Sequence, residues 1–365
     1  MAITAKDVQA LREKTGVGMM DCKKALTEAE GNIDKAIEIL REKGLASAAK
    51  KASRAAAEGT VAAYSTADAS ALVEINCETD FVGKNPEFVA LANQIAKTVA
   101  TVKPADLDAL NAATIADGSM SVADSVQELF LKIRENMKLR RFALVEGKAV
   151  SYIHAGGSVG VLVEFETDDA TAAKDEFVAM GKNIAMQVAA MSPEYLSKDD
   201  ITAEELEKMK SITVDSSLNK PDTLPKPILT QIINKACAEK LWSDADIAAY
   251  EEQKNNKFLF NFLSKEAVAT LAELAIAGKE EFVQNKIFAG AVDGRIKKQI
   301  KEICLLEQAF VRTDLFDGNV AGYVADVAKK LGADIKVKSM TRFAKGEGLE
   351  KKVDDFAAEI ASLTK

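Results

Sequence analysis

The sequence predicts an α+β protein in which a three-helix bundle precedes a pseudo-symmetric core of two halves, and a helical arm interrupts that core. Three observations predict this class: a pattern that recurs after 88 residues, three short helical segments before residue 55, and helical periodicity that replaces strand patterns beyond Asp200. With 365 residues, 48% of them hydrophobic, the chain is long enough for two or three domains with buried cores.

Residues 1–55 predict the bundle. Thr4 and Asp7 form a capping pattern, so the first helix is expected over 5–14, with further helices over 19–29 and 33–44. A bundle of this size has little core of its own, so we expect it to serve as a docking module.

A basic run follows the bundle at Lys50, Lys51 and Arg54. We expect it to lie on a solvated helical linker, and the alternative is a nucleic-acid-binding patch. The 48 basic and 56 acidic residues give a net charge of −8, which is the opposite sign from that of a protein that coats a duplex.

An internal repeat divides the core into two copies. The repeated groups lie 88 residues apart: Glu58-Gly59, Tyr64 and Glu78-Thr79-Asp80 in the first copy, and Glu146-Gly147, Tyr152 and Glu166-Thr167-Asp168 in the second. Alternating apolar residues predict strands at 60–64 and 71–76, and again at 149–154 and 159–165, each pair followed by an amphipathic helix. We assign the first half to residues 56–142, and the second to 143–200 and 331–348.

Residues 201–330 predict a helical, coiled-coil-like arm with an inserted knob. Helical periodicity is strong over 203–210 and 282–304, and clustered prolines break the chain between them. A strand pattern returns over 332–342, so the arm is expected to interrupt the second core half. Residues 349–365 predict a C-terminal amphipathic helix.

The two copies differ where the second strand ends. The first continues Asp80-Phe81-Val82-Gly83, while the second has a carboxylate, Asp169, in place of the aromatic ring. Phe81 either closes the local core or forms an exposed apolar wedge for a partner, because an aromatic side chain offers a large contact area at low entropic cost. His154, at a strand end, is either a structural or surface residue or a catalytic one, and the first reading is the more common for a lone histidine there.

Motifs for chemistry are absent from the sequence. The glycines around Val17 follow a predicted helix rather than the strand that a dinucleotide loop requires, and no phosphate-binding loop or nucleophile elbow occurs. The single histidine excludes most zinc sites. Four separated cysteines predict reduced thiols: Cys22, Cys77, Cys237 and Cys304. We therefore expect no enzyme activity, no cofactor and no bound metal. No apolar run approaches a membrane span, so we expect a soluble cytoplasmic protein.

Three stretches resemble the elongation factor Ts family: Thr15-Gly-Val-Gly-Met-Met-Asp-Cys-Lys-Lys-Ala-Leu26, Asn76-Cys-Glu-Thr-Asp-Phe-Val82 and Gly346-Glu-Gly-Leu-Glu350. The resemblance implies a guanine nucleotide exchange factor for elongation factor Tu, with a bundle similar to a ubiquitin-associated domain. The acidic balance and the lack of a long apolar run lead us to expect no direct nucleic-acid or membrane partner, and the sequence leaves a 1:1 complex and a 2:2 assembly open.

The resemblance also implies which residues contact the partner. The bundle residues are Val17, Gly18, Met19, Met20, Asp21, Lys23 and Lys24. The stretch Thr79, Asp80, Phe81 and Val82 is implied to reach the partner near its nucleotide and Mg²⁺, with Phe81 as the wedge, and His154 to contact the partner from the second half. Arg134 stands where the family often has glycine.

Two rival hypotheses stay open at this point. One is a translation-associated scaffold that binds a GTPase without promoting exchange, and the other is a ribosomal or nucleic-acid-binding protein, which only the basic pairs Lys50-Lys51 and Arg140-Arg141 suggest.

Overall fold

A computed structural model describes residues 3–51 and 53–350. The chain divides into two compact units: residues up to Ser192 together with those from Phe310 onward, and Pro193–Ala309. Helices combine with two antiparallel sheets of three strands each, which confirms the predicted α+β class.

The N-terminal bundle contains the predicted helices, which are α1 (Ala5–Thr15), α2 (Met19–Glu28) and α3 (Ile33–Lys51). Thr4 and Asp7 form the expected capping box of α1, and Gly16 ends this helix in the left-handed conformation. Leu11 and Leu26 are fully buried between the helices.

Helix α3 corrects the predicted end at Gly44, because it continues to Lys51. Gly44 is packed directly against Leu131, and a Cβ atom there would overlap the leucine side chain. The glycine therefore permits close packing of the bundle on the core instead of ending the helix.

The first core half contains one sheet and the helices that cover it. Its elements are β1 (Glu58–Ser65), β2 (Ala69–Cys77), α4 (Asp80–Gly83), α5 (Pro86–Val102), α6 (Leu107–Ala112), α7 (Val122–Ile133) and β3 (Met137–Glu146). The strand order is β1-β2-β3, all antiparallel. The two predicted strands are confirmed, whereas β3 was missed because its half-buried, basic sequence does not alternate.

The second half repeats the arrangement. It begins with β4 (Lys148–His154), β5 (Val159–Glu166), α8 (Asp169–Ala172) and α9 (Asp175–Met191). Both strands lie where the repeat predicts them.

The second unit is a helical cluster with its own core. Its helices are α10 (Ala203–Leu218), α11 (Lys226–Ala238), α12 (Asp244–Gln253), α13 (Lys265–Ala277), α14 (Lys279–Gln284) and α15 (Lys286–Ile303). Trp242, Leu271 and Phe288 are buried in this core. The helix predicted over 282–304 is interrupted at Asn285, whose side chain caps α15.

The chain then returns to the second half with α16 (Val320–Leu331) and β6 (Lys336–Ala344), which completes the sheet β4-β5-β6. Residues 310–330, assigned to the arm from sequence, pack on α9 instead: Asn183 donates a hydrogen bond to the Tyr323 hydroxyl at 2.9 Å, and Phe310 stacks on Tyr323. The predicted C-terminal helix falls almost wholly on 351–365, outside the described residues.

The two sheets face each other between helices. Helix α5 buries Phe88 and Ile95 against the first sheet, and α9 buries Phe177 and Ile184 against the second. Gly160 of β5 lies against side chains of the first sheet, where a Cβ atom would not fit.

A buried carboxylate, Glu74 on β2, joins the first sheet to the turn after β6. Arg140 and Arg141 both reach it, at 3.0 and 2.6 Å, because a bulge in β3 turns these consecutive side chains toward the same partner. The backbone N–H of Gly346 also donates to Glu74, at 2.7 Å. The Gly346-Glu-Gly stretch is therefore part of the core's internal ionic network.

Candidate partner-binding site

Phe81 lies on a one-turn helix at the end of the first sheet. Helix α4 follows β2 directly, and its N-cap is Thr79, whose hydroxyl accepts a hydrogen bond from the Val82 N–H at 3.3 Å. The Phe81 side chain is 83% exposed. Its ring therefore does not close the local core, which removes the first of the two sequence-based alternatives.

The residues on either side of Phe81 have different roles. Val82 is buried in the first-half core and anchors the turn. Asp80 pairs with Lys84 at 2.7 Å, and this hydrogen bond holds the pKa of the Asp80 carboxyl below its ordinary value. The aromatic ring of Phe81 thus lies beside an ion pair, and the buried Val82 side chain anchors the backbone that carries it.

Close backbone contact fixes the turn to β1. A Cβ atom on Gly83 would lie 2.8 Å from the carbonyl oxygen of Gly59, so only glycine allows this approach. The next residues of β1 meet the turn after His154, where the Val61 N–H donates to the Gly157 carbonyl at 2.8 Å. The structure therefore brings the turns that carry Phe81 and His154 onto adjoining residues of one strand.

His154 is exposed at the end of β4. Its Nδ1 lies 3.0 Å from the Tyr152 hydroxyl, and the following turn has Ala155 in a left-handed conformation. The exposed ring is accessible to a partner.

The bundle presents a second candidate surface. Met19 and Met20 are 51% and 65% exposed, and Gly18, Lys23 and Lys24 are exposed around them. Val17, in the loop between α1 and α2, is fully buried in the bundle core, so its side chain is not exposed beside them.

The connection between α7 and β3 ties both candidate surfaces to the core. Arg134 pairs with Asp21 of the bundle at 2.8 Å, and the next residue, Glu135, accepts two hydrogen bonds from Thr79. Arg134 has φ +65°, a conformation that suits glycine. Arg134 stands out in the sequence, whereas Glu135 does not, because 56 residues separate Glu135 from Thr79.

Two buried cysteines and the distribution of metal-ligating side chains bear on possible chemistry. Burial raises the pKa of the Cys77 thiol to about 12 and that of Cys304 to about 11, so neither is a reactive thiolate. Over residues 3–51 and 53–350, no cluster of three or more histidine, cysteine or carboxylate side chains could hold a metal ion. In the same part of the chain, no helix is long and apolar enough to cross a membrane.

Comparisons with known proteins identify the family of the chain. The sequence profile of the family described as Elongation factor TS matches residues 78–347. Elongation factor Ts of Syntrophotalea carbinolica is 41% identical over 368 residues, covering 100% of both chains. The Clostridium perfringens protein of the same name is 38% identical over 99% of both chains, and that of Clostridium botulinum is 41% identical over 98% of this chain and 97% of the relative. The chain therefore belongs to the elongation factor Ts family.

Proposed function

We propose that the chain binds elongation factor Tu in its GDP form and promotes exchange of GDP for GTP, with Phe81 as the wedge. Family membership implies the exchange role. The observation that carries the wedge is the 83% exposure of Phe81 on a turn whose backbone is fixed to β1. An exposed aromatic ring on a fixed turn offers a partner a large contact area at low entropic cost.

The proposed mechanism is a coupling of two binding events. If the ring displaces partner elements that hold Mg²⁺ and the phosphates, nucleotide and exchange factor each weaken the other's binding by the same factor. Removing the cation leaves phosphate charge unneutralised, so GDP dissociates faster. GTP then binds and displaces the factor. No covalent bond is made or broken, so the factor is not an enzyme in the chemical sense and supplies no cofactor.

Two further surfaces extend the proposed interface. Met19 and Met20, with Lys23 and Lys24 beside them, offer an adaptable apolar patch with a basic rim. His154 adds a contact from the second half. We expect these surfaces to supply affinity, whereas Phe81 supplies the coupling to nucleotide release. We infer that the complex acts in the cytoplasm, where protein synthesis takes place.

A nucleotide-release assay tests the exchange function. Elongation factor Tu loaded with a fluorescent GDP analogue is mixed with excess unlabelled GDP and increasing amounts of the chain. We expect release to accelerate and saturate. Binding without acceleration would instead support the scaffold hypothesis. Light scattering on the same complex separates 1:1 from 2:2 stoichiometry.

A further inference from the structure

Glu135 forms hydrogen bonds with the turn that carries Phe81, although it lies 56 residues further along the chain than Thr79. One carboxylate oxygen accepts a hydrogen bond from the Thr79 N–H at 3.0 Å, and the other accepts from the Thr79 hydroxyl at 2.8 Å. Because both acceptors belong to one planar carboxylate, they fix the orientation of Thr79 as well as its position. Thr79 is the N-cap of α4, so its orientation sets the direction of the helix that follows.

The other polar groups of Thr79 also have partners. Its carbonyl accepts hydrogen bonds from the Cys77 thiol and from the Gly83 N–H, both at 3.1 Å. Its hydroxyl, besides donating to Glu135, accepts from the Val82 N–H. Among the described residues, the hydrogen bonds of Thr79 therefore stay within its own strand and turn, apart from the two to Glu135.

In the second copy of the repeat, the same turn forms without an equivalent of the Glu135 hydrogen bonds in the described part of the chain. Its equivalent residue is Thr167, whose buried hydroxyl oxygen makes no hydrogen bond among the described residues. The cap of α8 moves one residue on, to Asp168, which accepts from the Thr171 N–H at 2.8 Å. At the place of Phe81, this copy has Asp169, which pairs with Lys148. The turn can therefore form without hydrogen bonds to a distant carboxylate. Those hydrogen bonds occur in the copy that exposes an aromatic ring.

We propose that Glu135 is a positioning residue for nucleotide exchange, which holds Thr79 so that Phe81 projects rigidly toward the partner. This inference rests on the proposed function. A loosely held ring would move aside on contact instead of displacing elements of the partner, so binding would no longer be coupled to nucleotide release. The remaining surfaces would still bind the partner. The adjacent Arg134 anchors the bundle through Asp21, so one short connection orients both candidate surfaces.

The test compares maximal GDP release at saturating factor with the factor concentration that gives half the maximum. We expect Glu135→Ala to lower the maximal rate by about tenfold, because the ring is no longer held in one direction, while the half-saturating concentration changes by less than about threefold. Glu135→Gln should restore most of the rate, because its amide oxygen accepts from the Thr79 N–H and its amide nitrogen donates to the hydroxyl.

Glu78→Ala is the matched control. Glu78 joins the same two segments, since it accepts from the Asn136 N–H at 2.7 Å, but it does not touch Thr79 Oγ1 or N. We expect this variant to lose similar thermal stability yet release GDP within about twofold of the unmodified chain. Equal loss of rate in Glu78→Ala and Glu135→Ala would overturn the inference. If Glu135→Ala does not fold, Glu135→Asp keeps the charge, but its carboxylate is one methylene shorter and loses the paired hydrogen bonds to Thr79, so it should lower the maximal rate in the same way.

A double variant separates this inference from the proposed function. In a Phe81→Ala background, Glu135→Ala should have no further effect on release, because the residue acts through the ring. If Phe81→Ala itself leaves release unchanged, the proposed wedge fails. If Phe81→Ala removes acceleration but Glu135→Ala does not lower it, only the positioning role of Glu135 fails.

Discussion

Adjacent residues of the turn that carries Phe81 have opposite environments. Val82 is buried, Thr79 has all its polar groups bonded, and Phe81 is 83% exposed between them. Exposed apolar side chains contribute little to folding, whereas buried ones and caps contribute about 1–3 kcal/mol each. Binding and stability are therefore separable at neighbouring positions, and single substitutions can test each of them.

Gly83→Ala tests the support of the turn. The added methyl would lie 2.8 Å from a backbone carbonyl of β1, so the turn must shift and the free energy of unfolding should fall by about 1–3 kcal/mol. Chemical denaturation measures this change. Gly290→Ala, at a position on α15 with nothing within 4 Å, is the control and should be neutral or slightly stabilising. Equal effects of the two substitutions would contradict the close-contact explanation.

Among the elements, β3 is the strand that the sequence did not predict, and it carries both arginines that pair with Glu74. Its bulge turns Arg140 and Arg141 toward the fully buried Glu74, and the strand begins just after the connection that holds Thr79. Burial raises the pKa of the Glu74 carboxyl, but hydrogen bonds from Gly346, Asn76 and Arg141 outweigh it, so the net pKa lies below the ordinary value of 4.5. The ionised form is therefore the one that the fold stabilises.

Acid stability should depend on Glu74. Because the pKa of Glu74 is lower in the folded chain, the unfolded chain binds the proton more readily. The stabilisation from ionised Glu74 is therefore present above about pH 4.5 and is lost as the pH falls through the lower pKa of the folded chain. Glu74→Gln should lower stability at neutral pH by about 2–4 kcal/mol, since it leaves two arginines without their carboxylate. It should also flatten the decline below pH 4.5. A variant with an unchanged acid profile would contradict this assignment.

At the scale of the whole molecule, the chain consists of two units, one of which is inserted into the other. Within Pro193–Ala309, the two ends are tied together, because the Leu305 N–H donates to the Tyr195 carbonyl at 2.9 Å. A unit with its own core and adjacent ends is suited to fold independently.

The isolated unit 193–309 should therefore fold and unfold cooperatively. Leu271→Ala, in its buried core, should cost about 2–5 kcal/mol, and Ile212→Ala, at a side chain that is 58% exposed, should change stability by less than about 0.5 kcal/mol. Thermal unfolding followed by circular dichroism checks both variants. A gradual transition without a baseline would show that the unit depends on the rest of the chain.

Local patterns predicted much of this architecture, and long-range contacts explain what they missed. The strands of the repeat were predictable because their buried residues alternate or run continuously. Strand β3 was not, since its side chains are half-buried and many are basic. Gly44 signals a helix end locally but serves a contact with Leu131. For the site, the contrast between copies singled out Phe81, whereas the support from Glu135 is visible only in three dimensions.

The most direct test of the wedge is GDP release from elongation factor Tu by Phe81→Ala, measured beside Phe258→Ala, which removes a ring that is 61% exposed on the helical unit. Burying one phenyl ring is worth about 1.5–3 kcal/mol, or about 10- to 150-fold. We predict that Phe81→Ala keeps its unfolding midpoint and its binding to elongation factor Tu but lowers the maximal release rate by at least about tenfold, while Phe258→Ala retains it. Full acceleration by a folded Phe81→Ala protein would contradict the account.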